Sequence, residues 1–180
     1  ALTFQKEGFS VLLVDTNKEH VIEARAEGLN VINSGILSSR VQEEVALGGV
    51  GYLFAMTGND EVNLLSVIEF GQNLGRNHVY RLFPEQRSNI RQTSADTAQK
   101  GRYLFGKRLT YTYLNSQFNQ GAVIKTILIK SDRSYDKFLE ENPNTIPLFL
   151  VTKKKRIRIF SNEFSPVIKP GSTVIGLVKS

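Results

Sequence analysis

Cysteine is absent from the 180 residues, which excludes disulfides and thiol-ligated metals. Histidine is scarce. His20 and His78 are the two in the chain, too few and too far apart for a zinc motif. No run comes near the ~18 consecutive apolar residues that a membrane-spanning helix requires. No basic segment ahead of a hydrophobic stretch marks a signal peptide at the start. Internal repeats and low-complexity tracts are also missing. What is there is an ordinary globular composition, 41% hydrophobic and 22% charged, which suits one substantial core, or one and a small second one.

Acid gathers in the first part of the chain and base in the second. Residues 1–80 hold 5 Lys/Arg against 10 Asp/Glu, a net of −5, and residues 81–180 hold 18 against 7, a net of +11. Such a swing marks two modules with different surfaces. A basic module favours acidic lipid headgroups, nucleic acid or an acidic protein face, and a solvated basic surface has the same composition. The densest cluster is Lys153-Lys154-Lys155-Arg156 with Arg158. It reads as a solvated hairpin tip that discourages strand-edge pairing rather than a polyanion patch. The aromatic interleaving of single-strand binders is missing from it, and no nucleic acid is expected as a partner.

The first module alternates strands and helices. Strand 9–14 ends in Asp15. Thr16 to Glu19 reads as a capping box, with Thr16 as the cap, opening a helix with Ile22, Ala26 and Leu29 at helical spacing and a stop at Gly28. Val31-Ile32 is a short strand with Asn33-Ser34-Gly35 as its exit turn. Ser39 to Gln42 is a second capping box, and its helix stops at Gly48-Gly49. Strand 51–56 runs into Thr57-Gly58-Asn59-Asp60, where Asn59 or Asp60 caps a helix through Leu64, Val67, Ile68 and Leu74. Val79 to Phe83 is a last strand, broken by Pro84. Short connections in the order β-α-β-α-β-α-β predict a parallel, doubly wound sheet, and the continuous apolar strands fit a sheet covered on both faces.

Residues 85–120 are read as a connector that contains a helix within Gln86–Lys100 and serves for pairing with another copy. The second module, 121–180, reads as strand 122–129, helix 134–141, a hairpin of 146–151 with 157–160, a Pro170-Gly171 turn and a closing strand 173–178. The fold class expected is α/β: a Rossmann-like doubly wound parallel sheet lacking its first strand, plus a small α+β C-terminal domain. Leu2 to Gly8 reads as the tail of a helix with its C-cap glycine. The first strand and a Gly-x-Gly-x-x-Gly turn are therefore expected about ten to fifteen residues upstream of Ala1. Without them the sheet is expected to have a gap near its centre.

Ligands of such sheets bind at the carboxyl ends of strands. An acid there, Asp15, can accept hydrogen bonds from both ribose hydroxyls and repels a 2′-phosphate; its other role is to help cap the next helix. Thr57, Gly58 and Asn59 combine small size with the positive end of a helix. Asn63, one turn further on, can face the same cleft. Arg81, ending the last strand, offers a guanidinium to phosphate or to a surface ion pair.

The segments VLLVDTN, VINSG and LFAMTGNDEVNLL over residues 1–84 resemble the regulator-of-potassium-conductance (RCK) family. These nucleotide-binding domains are attached to potassium channels, potassium-uptake systems and cation/proton antiporters. IKPGSTVIGLV is similar to the final strand of that family's smaller C-terminal ligand-binding domain. The resemblance implies that Asp15 is the ribose acid with Thr16 and Asn17 flanking the adenosine. It places Ser34, Gly35 and Ile36 beside the adenine and Thr57, Gly58 and Asn59 near the phosphates. Ile36 stands where the family often has an acid. The implied ligand is NAD or another adenine nucleotide. The implied partner is a membrane-embedded cation transporter or channel domain, with a homodimeric regulatory unit on the cytoplasmic side of the membrane. An NAD-dependent oxidoreductase fragment is the first alternative, against which stands the want of a plausible catalytic acid/base pair. A basic nucleic-acid-binding module, motivated by charge alone, is the second.

Overall fold

Helix α1 (Leu2–Lys6) turns through Gly8, at φ 85°, toward strand β1 (Leu12–Asp15). The computed structural model describes residues 1–85, 102–106, 109–131, 135–161 and 165–179. After β1 come α2 (Lys18–Ala26), β2 (Asn30–Asn33), α3 (Ser39–Leu47), β3 (Leu53–Ala55), α4 (Asp60–Leu74) and β4 (Val79–Arg81). A short β5 (Arg102–Tyr103) and α5 (Tyr111–Asn119) follow. The C-terminal part contains β6 (Val123–Leu128), α6 (Tyr135–Glu141), β7 (Thr145–Val151), β8 (Ile157–Ile159) and β9 (Thr173–Val178). The chain is thus mixed α/β. The helix read within Gln86–Lys100 lies outside the described residues.

Two of the helix starts differ from the sequence reading. Asn17, not Thr16, caps α2, accepting the Glu19 N–H at 2.9 Å. The reason is Asp15, whose carboxylate takes the Asn17 N–H at 2.8 Å and turns the chain one residue further before the helix begins. Ser38, not Ser39, caps α3, accepting from Val41 at 3.4 Å. At α4 the cap is Asn59, which accepts the Glu61 and Val62 N–H groups at 3.0 Å each. The buried side of α2 is also shifted. Val21 is buried, Ile22 is 66% exposed and Ala26 is exposed, while Leu29 is buried beyond the helix end. Val21 packs with Leu29 and Val31 under β1 and β2, so the Ile22 row is rotated one residue away from the sheet.

Among the described residues, every strand pair in the first half is parallel. β1 lies beside β2 with Leu13 opposite Val31 and Asp15 opposite Asn33. β3, β4 and β5 form a separate sheet in that order, with Ala55 opposite Arg81 and Arg81 opposite Tyr103. β1 and β3 are not hydrogen-bonded to each other, so the parallel strands make two sheets. A core of Val41, Val67, Phe70 and Val79 joins α3 and α4 to the second sheet.

The C-terminal sheet is antiparallel, in the order β6-β9-β7-β8. Gly176 of β9 is required there: a Cβ would stand 2.5 Å from the Thr145 methyl and 3.2 Å from the Ile146 carbonyl oxygen. Phe138 of α6 covers one face with Ile129, Leu150 and Val174. The other face shares a core with the first half. The Phe149 ring of β7 stands 4.9 Å from Phe4, 5.3 Å from Phe54 and 5.0 Å from Phe105. Phe105, buried with its ring against Phe149, has φ 62°, a conformation that bulky residues rarely adopt. Among the described residues no helix is long and apolar enough to cross a membrane.

Candidate functional site

The carboxyl end of β1 carries a compact polar group. Asp15 is half-buried, with Oδ1 receiving the Asn17 N–H and Oδ2 lying 3.1 Å from Nδ1 of His20, on the first turn of α2. The Asp15 carbonyl accepts from the Ser34 N–H at 3.2 Å and from Nδ2 of Asn33 at 2.9 Å, which ties the exit of β2 to the exit of β1. Ser34 then donates its hydroxyl to Ser38 at 2.9 Å, so this turn also steadies the cap of α3. Thr16, Asn17 and Gly35 are exposed around it, and Ile36 is half-buried against the core under α3 and α4. The parallel pairing of β1 and β2 brings these residues together: their C-terminal ends fall side by side, and both turns open in the same direction.

The loop after β3 forms a second group. Asn63, expected to face a cleft, is 1% exposed and turned back on its own loop. Its Oδ1 accepts the Thr57 N–H at 3.0 Å and the Thr57 hydroxyl at 2.8 Å, while its Nδ2 donates to the Thr57 carbonyl at 2.8 Å. The side chain is a clasp that shapes Thr57-Gly58-Asn59, because an amide one turn into α4 is the right length to pair with both polar atoms of the Thr57 backbone. The first N–H groups of α4 are largely occupied by Asn59, which leaves less of the helix end to an anion than the sequence suggests.

Arg81 belongs to neither group. It is buried, its Nη2 donating to the Tyr103 hydroxyl at 3.0 Å with the guanidinium carbon 4.6 Å from the centre of that ring. β5 provides this partner, a consequence of a strand pairing that the sequence reading did not contain. Among the described residues no hydrogen bond or ring contact joins the Asp15 group to the Thr57 group. A cavity of about 410 Å³ lies along α4, lined by Val67, Ile68, Gly71, Gln72 and Arg76, and none of the candidate residues lines it.

Three participants were not singled out from the sequence. His20 is five residues beyond Asp15, and the signal available was its place in the first turn of the helix after an acid-ended strand. Glu85 bridges two helix starts: its N–H donates to Asp60 at 2.9 Å, and its carboxylate accepts the Thr112 N–H at 2.7 Å. Burial pushes its carboxyl upward, but the Thr112 N–H and the hydroxyls of Thr110 and Thr112 outweigh it and hold the group below the usual glutamate range. Tyr111, first residue of α5, lays its ring against Gly58; a Cβ there would be 3.0 Å from Cε1. That contact spans more than fifty residues and leaves no local signature.

Residues 1–96 match the family described as the TrkA-N domain. No curated protein matches the chain.

Proposed function

The chain belongs to the TrkA-N domain family, and from that membership we propose that it senses an adenine nucleotide, NAD or NADH foremost, for a membrane system that moves potassium or another monovalent cation. The match over residues 1–96 carries this reading. The placement of Asp15 supports it. A half-buried carboxylate at the end of a parallel strand, steadied by the Asn17 N–H, keeps acceptor capacity for a ribose diol and disfavours a 2′-phosphate. Thr16, Asn17, Ser34, Gly35 and Ile36 would border the adenosine. Thr57, Gly58 and Asn59 would border the phosphates, with Asn63 shaping their loop.

The two parallel sheets are, on this reading, halves of one doubly wound sheet. Among the described residues, β1 and β3 each have a single hydrogen-bonded neighbour. One further parallel strand between them would join the halves in the order β2-β1-new-β3-β4-β5, and its exit turn would meet the pyrophosphate. Residues 121–180 would form the smaller ligand domain and 85–120 the connector used in pairing two copies. Such a unit would work at the cytoplasmic face of the membrane. There, nucleotide changes the transport pathway by binding one conformation better than another. The ligand is sensed rather than transformed.

The test is titration calorimetry with NAD, NADH, ATP and ADP on the chain and on Asp15→Ala. Because hydrogen bonds to a charged group are worth about 1.5–3 kcal/mol, the substitution is expected to weaken binding by about tenfold or more. Equal binding by both proteins would remove Asp15 from the site.

A further inference from the structure

We propose that Tyr111 is an autoinhibitory plug on the nucleotide site, its ring standing on the Gly58 backbone that a ligand would approach. The inference rests on the nucleotide-site reading above and adds to it a residue from the C-terminal half. A glycine in the loop after β3 is useful to a ligand because it lacks a side chain. Here that space is filled from within: Cε1, Cδ1 and Cζ of Tyr111 lie 3.0, 3.2 and 3.5 Å from where a Cβ of Gly58 would be. No ligand atom fits between the ring and this face of the loop. Tyr111 as a residue is 39% exposed, so it is not locked in a core and has room to leave.

The ring is held in place by the start of α5. Thr110 caps the helix, accepting from Tyr113. Glu85 accepts the Thr112 N–H and donates its own N–H to Asp60, the first residue of α4. The starts of α4 and α5 are therefore fastened together through Glu85, at residues close in sequence to Gly58 and Tyr111. Leu114, one turn further, is buried in the core that contains Leu148, Phe149 and Leu177. A ligand that expels the Tyr111 ring thus acts on a helix rooted in the C-terminal half, and by reciprocity whatever steadies α5 on the loop weakens nucleotide binding.

Calorimetry with NADH and with ATP on the chain, Tyr111→Ser, Tyr111→Phe and Glu85→Ala tests this, with hydrogen exchange of the Tyr111–Leu114 amides as a second readout. Tyr111→Ser is expected to tighten binding by about fivefold or more, in the range of ordinary coupling between sites. Tyr111→Phe should bind as the unaltered chain does. Glu85→Ala, which leaves the ring intact, should tighten binding to a smaller extent. Saturating nucleotide should speed exchange at the first turn of α5. If Tyr111→Ser binds equally or more weakly while Asp15→Ala loses binding, the ring is a wall or a bystander and the plug is wrong, but the nucleotide site stands. Absence of binding by every variant at millimolar nucleotide would overturn both.

Discussion

Asn63 illustrates how a side chain with chemistry to offer can be committed to its own backbone. Its three hydrogen bonds to Thr57 leave it buried and satisfied. Asn63→Ala is expected to cost about 1–3 kcal/mol by stranding the Thr57 partners, measured by urea unfolding, and to loosen the loop that holds Gly58. Asn63→Asp should fare worse, because it sets an acceptor against the Thr57 carbonyl. Gly176 is as constrained in the other direction. Gly176→Ala forces a methyl onto Thr145 and should cost about 1–3 kcal/mol by overpacking, also read from urea unfolding. Asp15 was legible in the sequence because an acid after an apolar strand is a local pattern. The direction of Asn63 was not, since helical spacing gives a phase and does not say whether the amide turns to solvent or to the loop.

Among the elements, the parallel strands and their intervening helices follow from patterns of short range, and all four first-half strands from the sequence reading are present within a few residues. Caps and helix faces were less legible. Asp15 moves the cap of α2 from Thr16 to Asn17, and the sheet selects Val21 over Ile22 as the buried residue. Loss of the Asn59 side chain in Asn59→Ala should destabilise α4 by about 1 kcal/mol, seen as a lower midpoint in thermal unfolding followed by circular dichroism. Glu85 provides a pH-dependent fastening. Its folded carboxyl titrates below the unfolded value, so its contribution is present above the unfolded pKa and is lost as pH falls through the folded one. The stability difference between the chain and Glu85→Gln should therefore be greatest near neutral pH and shrink to nothing in acid below the glutamate range. A difference that grows in acid would reverse the assignment. The effect is expected to be modest, because Glu85 is exposed to water.

For the molecule as a whole, the joint between the two halves is aromatic. Phe149→Ala removes a ring that touches Phe4, Phe54 and Phe105, and should cost about 3–5 kcal/mol. Calorimetric unfolding of the unaltered chain should show one transition, and this variant should split it in two. The Lys155–Glu7 pair crosses the same joint at 3.6 Å, but the Lys155 side chain is 61% exposed. Glu7→Gln should therefore change stability by less than about 1 kcal/mol, with a difference that fades in high salt. Family membership, parallel strand order and the acid at the end of β1 were all determined by the sequence itself, since each depends on residue types within one or two neighbouring elements. Only the tertiary structure decided that Arg81 is taken by Tyr103 and that Tyr111 stands on Gly58. Those outcomes depend on which surfaces of distant segments meet, and many such pairings bury similar apolar area, so the local pattern does not choose among them.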